Sequence, residues 1–426
     1  MSTLAKIFQG LGHDVGVVVP HFGEKVEHDR YEGISVYRYP VPASPFWEEV
    51  QGTVSPRFFS HFVDLIQSLR PDVIHFHTTS WTMGLTHIKA AYRSGAVTLL
   101  THHTPSLGYL CPRGTGMLWG KVACDGIVTA SRCSVCLLQQ KGIPPILGNP
   151  LGRIPPAVGK HFQTTFKKNK FSTLVSLPFL IEQRKEMHSE ILDHVHAVIC
   201  LTEWGRQTLL RNGTPSEKLI LCRLGVAGKN CLGKSSRPSS EPCLVMGYIG
   251  RYDPIKGLEP LLKAFMKLPS KEKVTLRIYG VSNEDSTYEH FLRKMAQPDA
   301  RIKFENPLKP DQVRKALREL DVLAVPSLCM EGGPTVLLEA LAEKVPVIGS
   351  DLGAIPEYIQ AGKNGLLFPP GDIEAIQQTL TRLSSDRELL SNLVEGIEDV
   401  RTLQDVAREH MEFYTSLNPK RSLFQC

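Results

Sequence analysis

Residues 321–343 read DVLAVPSLCMEGGPTVLLEALAE. The apolar run 322–325 has the form of a strand buried on both faces, and it stops at Pro326-Ser327. A loop carrying Glu331 follows, and Gly332-Gly333-Pro334 then leads into a helical pattern that bears Glu339. Pro334 suits the first helical turn, where its missing N–H would have had no partner. The amides of Thr335 and Val336 are then left free at a helix end of partial positive charge, a natural seat for a phosphate. Two glutamates at this spacing prove little alone, because Glu24/Glu32 and Glu182/Glu190 repeat it. The strand–loop–helix context is what gives Glu331 and Glu339 their weight.

Outward from this segment the same alternation continues. Short apolar runs at 14–19, 72–77, 96–101, 196–201 and 218–222 are each strand-like. A second series lies at 243–249, 274–279, 301–304, 321–325, 345–349 and 365–368. Between 257 and 268, Leu258, Leu261, Leu262, Phe265 and Leu268 share one face at helical spacing. Continuous apolar strands alternating with helices predict parallel sheets covered on both faces. Residues 225–242, dense in Gly, Ser, Pro and Lys, read as a linker. The α/β chain thus divides into an N-terminal Rossmann-like domain (1–224), the linker, a second such domain (243–399) and a closing helix with tail (400–426). The default ligand site is a cleft between the two domains.

Composition narrows the class. With 42 % apolar and 22 % charged residues the chain is neither disordered nor collagen-like nor a channel. No apolar stretch is long enough for a transmembrane helix, and the first residues, MSTLAKIFQGLGHD, lack the regions of an export signal. A cytoplasmic location is expected. A net charge of +6 gives only weak preference for polyanions, and the basic residues form no nucleic-acid-binding module. The chain opens inside a helical pattern, without the strand and glycine-rich turn that normally start such a domain, which points to N-terminal truncation.

A second segment, GYIGRYDPIKGLEPL at 247–261, carries Arg251 after a glycine turn and Lys256-Gly257 at a helix entry. Two cations there are suited to clamp a diphosphate, although loop cations are also common surface features.

Strand-GxxGR-x4-KG, ProSer-x3-Glu-x7-Glu, VPVIGSD at 345–351 and NGLLF at 364–368 occur in order. With GHDVGVVV, PDVIHFH and HAVICLTEWGRQTLLRNGTPSEKL in the first half, the chain resembles the family-4 (group 1) glycosyltransferases of the GT-B fold. The resemblance implies a retaining transfer of a sugar from a UDP-, GDP- or ADP-linked donor to a sugar or lipid-linked acceptor. No cofactor is then needed for the chemistry. It implies that Arg251 and Lys256 neutralise the donor diphosphate, that Glu331 binds donor-sugar hydroxyls and Glu339 the ribose. Amides near Gly333, Thr335 and Val336 would hold phosphate or sugar oxygens. Gly333 departs from the aromatic residue often found at its position. His102, with His103 as the alternative, matches a histidine that the family places near the donor sugar. Two rival readings remain: a nucleotide-sugar epimerase of the same fold, and a non-catalytic subunit that binds a nucleotide sugar or a partner glycosyltransferase.

Three other features bear on function. Cys111-x12-Cys124-x8-Cys133-x2-Cys136 offers four thiolates for a structural zinc or an iron–sulfur cluster, and some family members carry a similar pattern. His75 and His77 share one face of a strand and read as packed histidines. Residues 161–181 mix Lys167, Lys168 and Lys170 with Phe162, Phe166 and Phe171, which suits either peripheral contact with the inner membrane face or a half-buried solvated helix.

Overall fold

The computed structural model describes residues 2–417 except 51, 109, 166–169, 229, 231–242 and 283–286. Two compact units emerge: Met1–Arg223 together with Leu403–Cys426, and Leu224–Thr402. No described helix is long and apolar enough to cross a membrane.

The strands of the first unit form two main sheets. Strand β1 (Gly16–Phe22) runs parallel to β3 (Ile34–Val41), which pairs antiparallel with β2 (Glu27–Tyr31). The β2–β3 turn is a two-residue connection in which Glu32 (φ 52°) and Gly33 (φ 88°) are both left-handed, the geometry that matches strand twist. Strands β4 (Val73–His77) and β5 (Val97–Thr101) belong to the other sheet. After a small ribbon, β6 (Met117–Leu118) and β7 (Val122–Ala123), that sheet continues through β8 (Ala197–Cys200) and β9 (Leu219–Leu221), in the order β4-β5-β8-β9 and all parallel.

Strand β5 is buried on both faces, as its unbroken apolar run predicts. Leu100 joins a core with Phe62, Ile88 and Ile191, whereas Leu99 faces Leu4, Val406 and Tyr414. Helix α1 (Ser2–Gly10) and the C-terminal helix Leu403–Leu417 cover the second face, with Phe8 and Tyr414 rings 6.0 Å apart. His75 is satisfied on both nitrogens there, by the Tyr414 hydroxyl at 2.8 Å and Thr101 Oγ1 at 2.7 Å, so it is a packed histidine. The first face is covered by α2 (Phe59–Leu69), α3 (Leu85–Arg93) and the long α7, described next. Helices α4 (Ala130–Gln140), α5 (Pro145–Gly152), α6 (Pro156–Thr165) and α7 (Lys170–Asp193) pack on one another and share a small core of Leu138, Leu177 and Leu180.

The second unit holds one parallel sheet, β10 (Leu244–Arg251), β11 (Val274–Val281), β12 (Ile302–Phe304), β13 (Val322–Val325), β14 (Val347–Ser350) and β15 (Gly365–Phe368). Its order is β12-β11-β10-β13-β14-β15, so the chain reverses its direction of winding at β10. Helix α8 (Leu258–Met266) buries Leu258, Leu261, Leu262 and Phe265 completely, at about 1.5–3 kcal/mol of transfer free energy each. Of the expected linker, 231–242 lie outside the described residues. Its beginning is tied into this unit: the Val226 amide donates to the Arg401 carbonyl at 2.9 Å, and Asn230 Nδ2 to the Val400 carbonyl at 2.7 Å.

His87 is fully buried. Its Nδ1 accepts from the Gly84 amide (3.3 Å), leaving Nε2–H to donate to the Tyr39 oxygen (3.2 Å), whose own proton goes to the Thr82 carbonyl. Burial pulls the pKa of His87 to about 3, and the same cause acts first on His77 and His102. The unfolded chain binds protons on these rings near pH 6.5 and the folded chain does not, so stability falls as pH drops below that value. Each such ring costs about 1.4 kcal/mol per pH unit in that window. Melting temperature is expected to fall between pH 7 and pH 5.5, and His87→Gln to show a shallower loss; a flat profile in the native chain would refute the assignment of neutral buried rings.

Candidate functional site

The loops that leave the carboxyl ends of β10 and β13, neighbours at the reversal of winding, meet in the second unit. In the first loop Asp253 accepts from the Ile255 amide at 3.1 Å and fixes a short turn over Pro254–Lys256. Gly257 ends that turn at φ +71°, and a Cβ there would lie 1.8 Å from the Pro326 carbonyl oxygen. Only glycine allows both that backbone conformation and that approach. The Leu328 amide donates to the Ile255 carbonyl at 2.7 Å, which fastens the second loop to the first. A third loop, after β14, closes on Glu331: the Ala354 amide donates to its carbonyl at 3.2 Å.

These contacts place Lys256 Nζ 2.8 Å from Glu331 Oε1. The same oxygen accepts from Ser327 Oγ at 2.6 Å, and Cys329 Sγ lies 3.9 Å from it. Glu331 is only 7 % exposed, so its charge depends on these donors. Arg251 is half-exposed and lies 3.7 Å from Asp253 Oδ2. Burial first, then the Glu331 charge, pushes the Cys329 thiol up to about 12, while Lys256 and Arg251 act in the opposite sense. Cys329 is thus a buried thiol beside the Glu331 carboxylate.

Glu339 lies mid-way along α9 (Thr335–Ala342), half-buried, and desolvation raises its pKa. Its carboxylate makes no hydrogen bond or ion pair among the described residues. Pro334 is not in the first helical turn as expected; it is the capping residue, at φ −70° and ψ 107°. No side-chain hydrogen bond caps α9, whose first two amides are those of Thr335 and Val336. Gly333 has φ +129°, and a Cβ there would meet Leu224 Cδ1 at 2.6 Å, which accounts for the absence of a side chain.

In the first unit His102 is 6 % exposed, and among the described residues neither ring nitrogen has a partner; the neighbouring Thr79 hydroxyl is likewise unpaired among them. Gly108, at φ +69°, fits because a Cβ would stand 2.6 Å from Thr79 Oγ1 and 2.7 Å from His102 Cε1. Burial keeps His102 neutral, able to donate and accept but not to act as a cation. His103 instead shares a 2.9 Å contact with His77.

Cys111, Cys124, Cys133 and Cys136 line one cavity, yet no group of three or more His, Cys, Asp or Glu among the described residues is arranged to hold a metal ion. Cys136 Sγ is turned toward the Met117 carbonyl and the Trp119 amide, and burial pushes the Cys133 thiol up to about 11. Of the basic-aromatic segment 161–181, Phe166, Lys167 and Lys168 lie outside the described residues; Phe162 and Phe171 pack at 6.5 Å. Sequence reasoning assigned no role to Ser327 or Asp253. The Pro-Ser pair was visible, but its hydroxyl reaches Glu331 only once the loop folds back.

Comparison with known proteins bears on this geometry. The model of the family described as Glycosyl transferases group 1 matches residues 234–399, and that of Glycosyltransferase Family 4 matches 1–159. A putative colanic acid biosynthesis glycosyltransferase of Salmonella typhimurium is 29 % identical over 191 residues, covering 43 % of this chain and 46 % of that protein. The chain spans about half the length of the first curated relatives it matches. Sucrose-phosphate synthase from Thermosynechococcus elongatus superposes with TM-score 0.65 at 17 % identity, covering 98 % of this chain and 92 % of that one. A glycosyltransferase from Rickettsia africae does so with TM-score 0.60 at 13 % identity, over 99 % and 94 %. Parallel sheets in two Rossmann-like units, and two family models that between them span most of the sequence, make this chain a member of the group 1 glycosyltransferases of the GT-B fold.

Proposed function

We propose that the chain transfers a sugar, with retention of configuration, from a nucleoside-diphosphate donor to a hydroxyl of a sugar or lipid-linked acceptor. The observation that carries this reading is the Lys256–Glu331–Ser327 cluster at the reversal of winding, where α/β sheets bind their ligands. In the proposed reaction the bond from the sugar's anomeric carbon to the diphosphate oxygen breaks, with its electrons leaving on that oxygen. The acceptor oxygen bonds to the same carbon, and its proton passes to the departing diphosphate oxygen. Lys256 spends one N–H on Glu331 Oε1 and has two left for phosphate oxygens; Arg251 supplies a second cation from the facing side of its loop. Because Lys256 and Ser327 both occupy Oε1, Glu331 Oε2 is the oxygen offered to donor-sugar hydroxyls.

Glu339 would accept from the ribose hydroxyls, which would relieve its desolvated carboxylate, and the Thr335 and Val336 amides would hold phosphate or sugar oxygens. The second unit is thereby the donor side and the first the acceptor side, where neutral His102 binds a hydroxyl. The chemistry asks for no cofactor, since positioning and charge neutralisation supply it. A cytosolic location with peripheral contact at the inner membrane face belongs to the same proposal, and the free cysteines among the described residues suit a reducing compartment.

Calorimetric titration with UDP, GDP and ADP tests the donor site. One nucleotide is expected to bind, and Lys256→Ala to weaken it and to slow transfer by roughly 10²–10³-fold; a folded chain that binds none of the three would overturn the reading. Ser327→Ala addresses Glu331 separately. Loss of one hydrogen bond to a charged group predicts about a ten-fold drop in turnover with unchanged nucleotide affinity, because the nucleotide carries no sugar for Glu331 to hold. Turnover equal to that of the native chain would remove Ser327 from the site.

A further inference from the structure

A cavity in the first unit has no part in the proposed reaction. It lies between the loop that leaves the carboxyl end of β5, the ribbon of β6 and β7, helix α4 and the helix Glu203–Arg211. Leu107, Leu110, Met117, Ile127, Val128 and Trp204 give it apolar walls. About 530 Å³ of space between atoms belongs to it, part of it open to solvent. That is the size of a small-molecule site, whereas voids in close-packed interiors seldom exceed a water molecule. Leu107 is held at φ +48°, directly before Gly108 at φ +69°. A leucine is strained in the left-handed region, so the surrounding fold imposes this wall against local preference.

The polar groups of the lining call for a ligand of one kind. Thr208 is 4 % exposed, and its hydroxyl has no partner among the described residues. The Nε groups of Arg113 and Arg132 are buried and equally unpaired among them. Arg132 is otherwise committed to Asp125 at 2.6 Å. Arg113 gives Nη1 to the Cys136 carbonyl at 3.2 Å and makes no ion pair among the described residues. No carboxylate lines the cavity, and burial raises the Cys124 and Cys133 thiols, which bring no negative charge at neutral pH. A ligand that fits must therefore supply the acceptors itself. A bare sugar would set its hydroxyls against leucine and methionine, and a neutral hydrocarbon would leave the donors unpaired. A ring that carries a carboxylate answers both the walls and the cation.

We propose that this cavity binds a small aromatic or alicyclic carboxylic acid, its ring among Leu107, Leu110, Met117 and Trp204 and its carboxylate on Arg113. The inference goes beyond sugar transfer and does not depend on it.

The test is calorimetric titration of the full chain with 2-naphthoate, with 2-naphthalenemethanol, which keeps the ring and lacks the charge, and with acetate, which keeps the charge and lacks the ring. The acid is expected to bind at least about ten-fold more tightly than the alcohol, and acetate not to bind measurably. Arg113→Gln should bring the acid down to the level of the alcohol and leave the alcohol unchanged. Leu118→Trp, which places a larger ring at a half-buried position of the lining, should weaken both by about ten-fold, and it gives an independent reading should Arg113→Gln not fold. Absence of binding by the folded chain, equal affinity for acid and alcohol, or unchanged binding in Arg113→Gln would each overturn the proposal. So would a metal ion retained through purification and lost in Cys133→Ser, because the cysteines would then fill the space with their own ligand. Titration with UDP, GDP and ADP on the same preparation reports on the sugar-transfer reading by itself.

Discussion

The approach of Gly257 to the Pro326 carbonyl is the constraint on which the site rests. A Cβ at that position would stand 1.8 Å from the oxygen, so the loops after β10 and β13 can close only over a glycine. Their closure is what brings Lys256, at the end of one loop, to Glu331, at the end of the other. Glu331, 7 % exposed, takes its donors from Lys256 and Ser327, whereas the Lys256 side chain keeps partial access to water. The loop geometry and the pair therefore support each other, and β10 supplies the rigid floor through its pairing with β11 and β13.

Within that frame the charges are graded by environment. Glu331 collects donors on one oxygen and keeps the other open, while Glu339 makes no hydrogen bond among the described residues and has its pKa raised by desolvation, against the opposing charge of Arg314. Arg251, half-exposed, stands 3.7 Å from Asp253.

The first unit is organised differently. Burial pulls His77 and His102 well below the usual imidazole range, four cysteines line one cavity, and the sequence holds no carboxylate from Gly126 to Ile181. Hydrophobic packing of α1 and the C-terminal helix on the β4–β9 sheet provides its stability. Helices α4–α7 add their own small core.

The sequence by itself determined the strands that are buried on both faces, because a continuous apolar run such as Val97–Leu100 or Val322–Val325 has no other way to leave water. It also determined the residue types at the site, since GxxGR-x4-KG and the two glutamates are contiguous signals. The exposed strand β2 was hidden, because EHDRY has no apolar face and is held only by its ladder with β3. The helical cluster of 130–165 was hidden for a related reason: Pro and Gly interrupt its periodicity, and packing on α7 overrides propensity. Tertiary structure alone decided that Ser327 reaches Glu331, that Pro334 caps α9 from outside it, and that four cysteines share a cavity without assembling as ligands. Each depends on where a side chain points after a loop folds back, and that direction is set by backbone dihedrals and neighbouring packing that residue order does not encode locally.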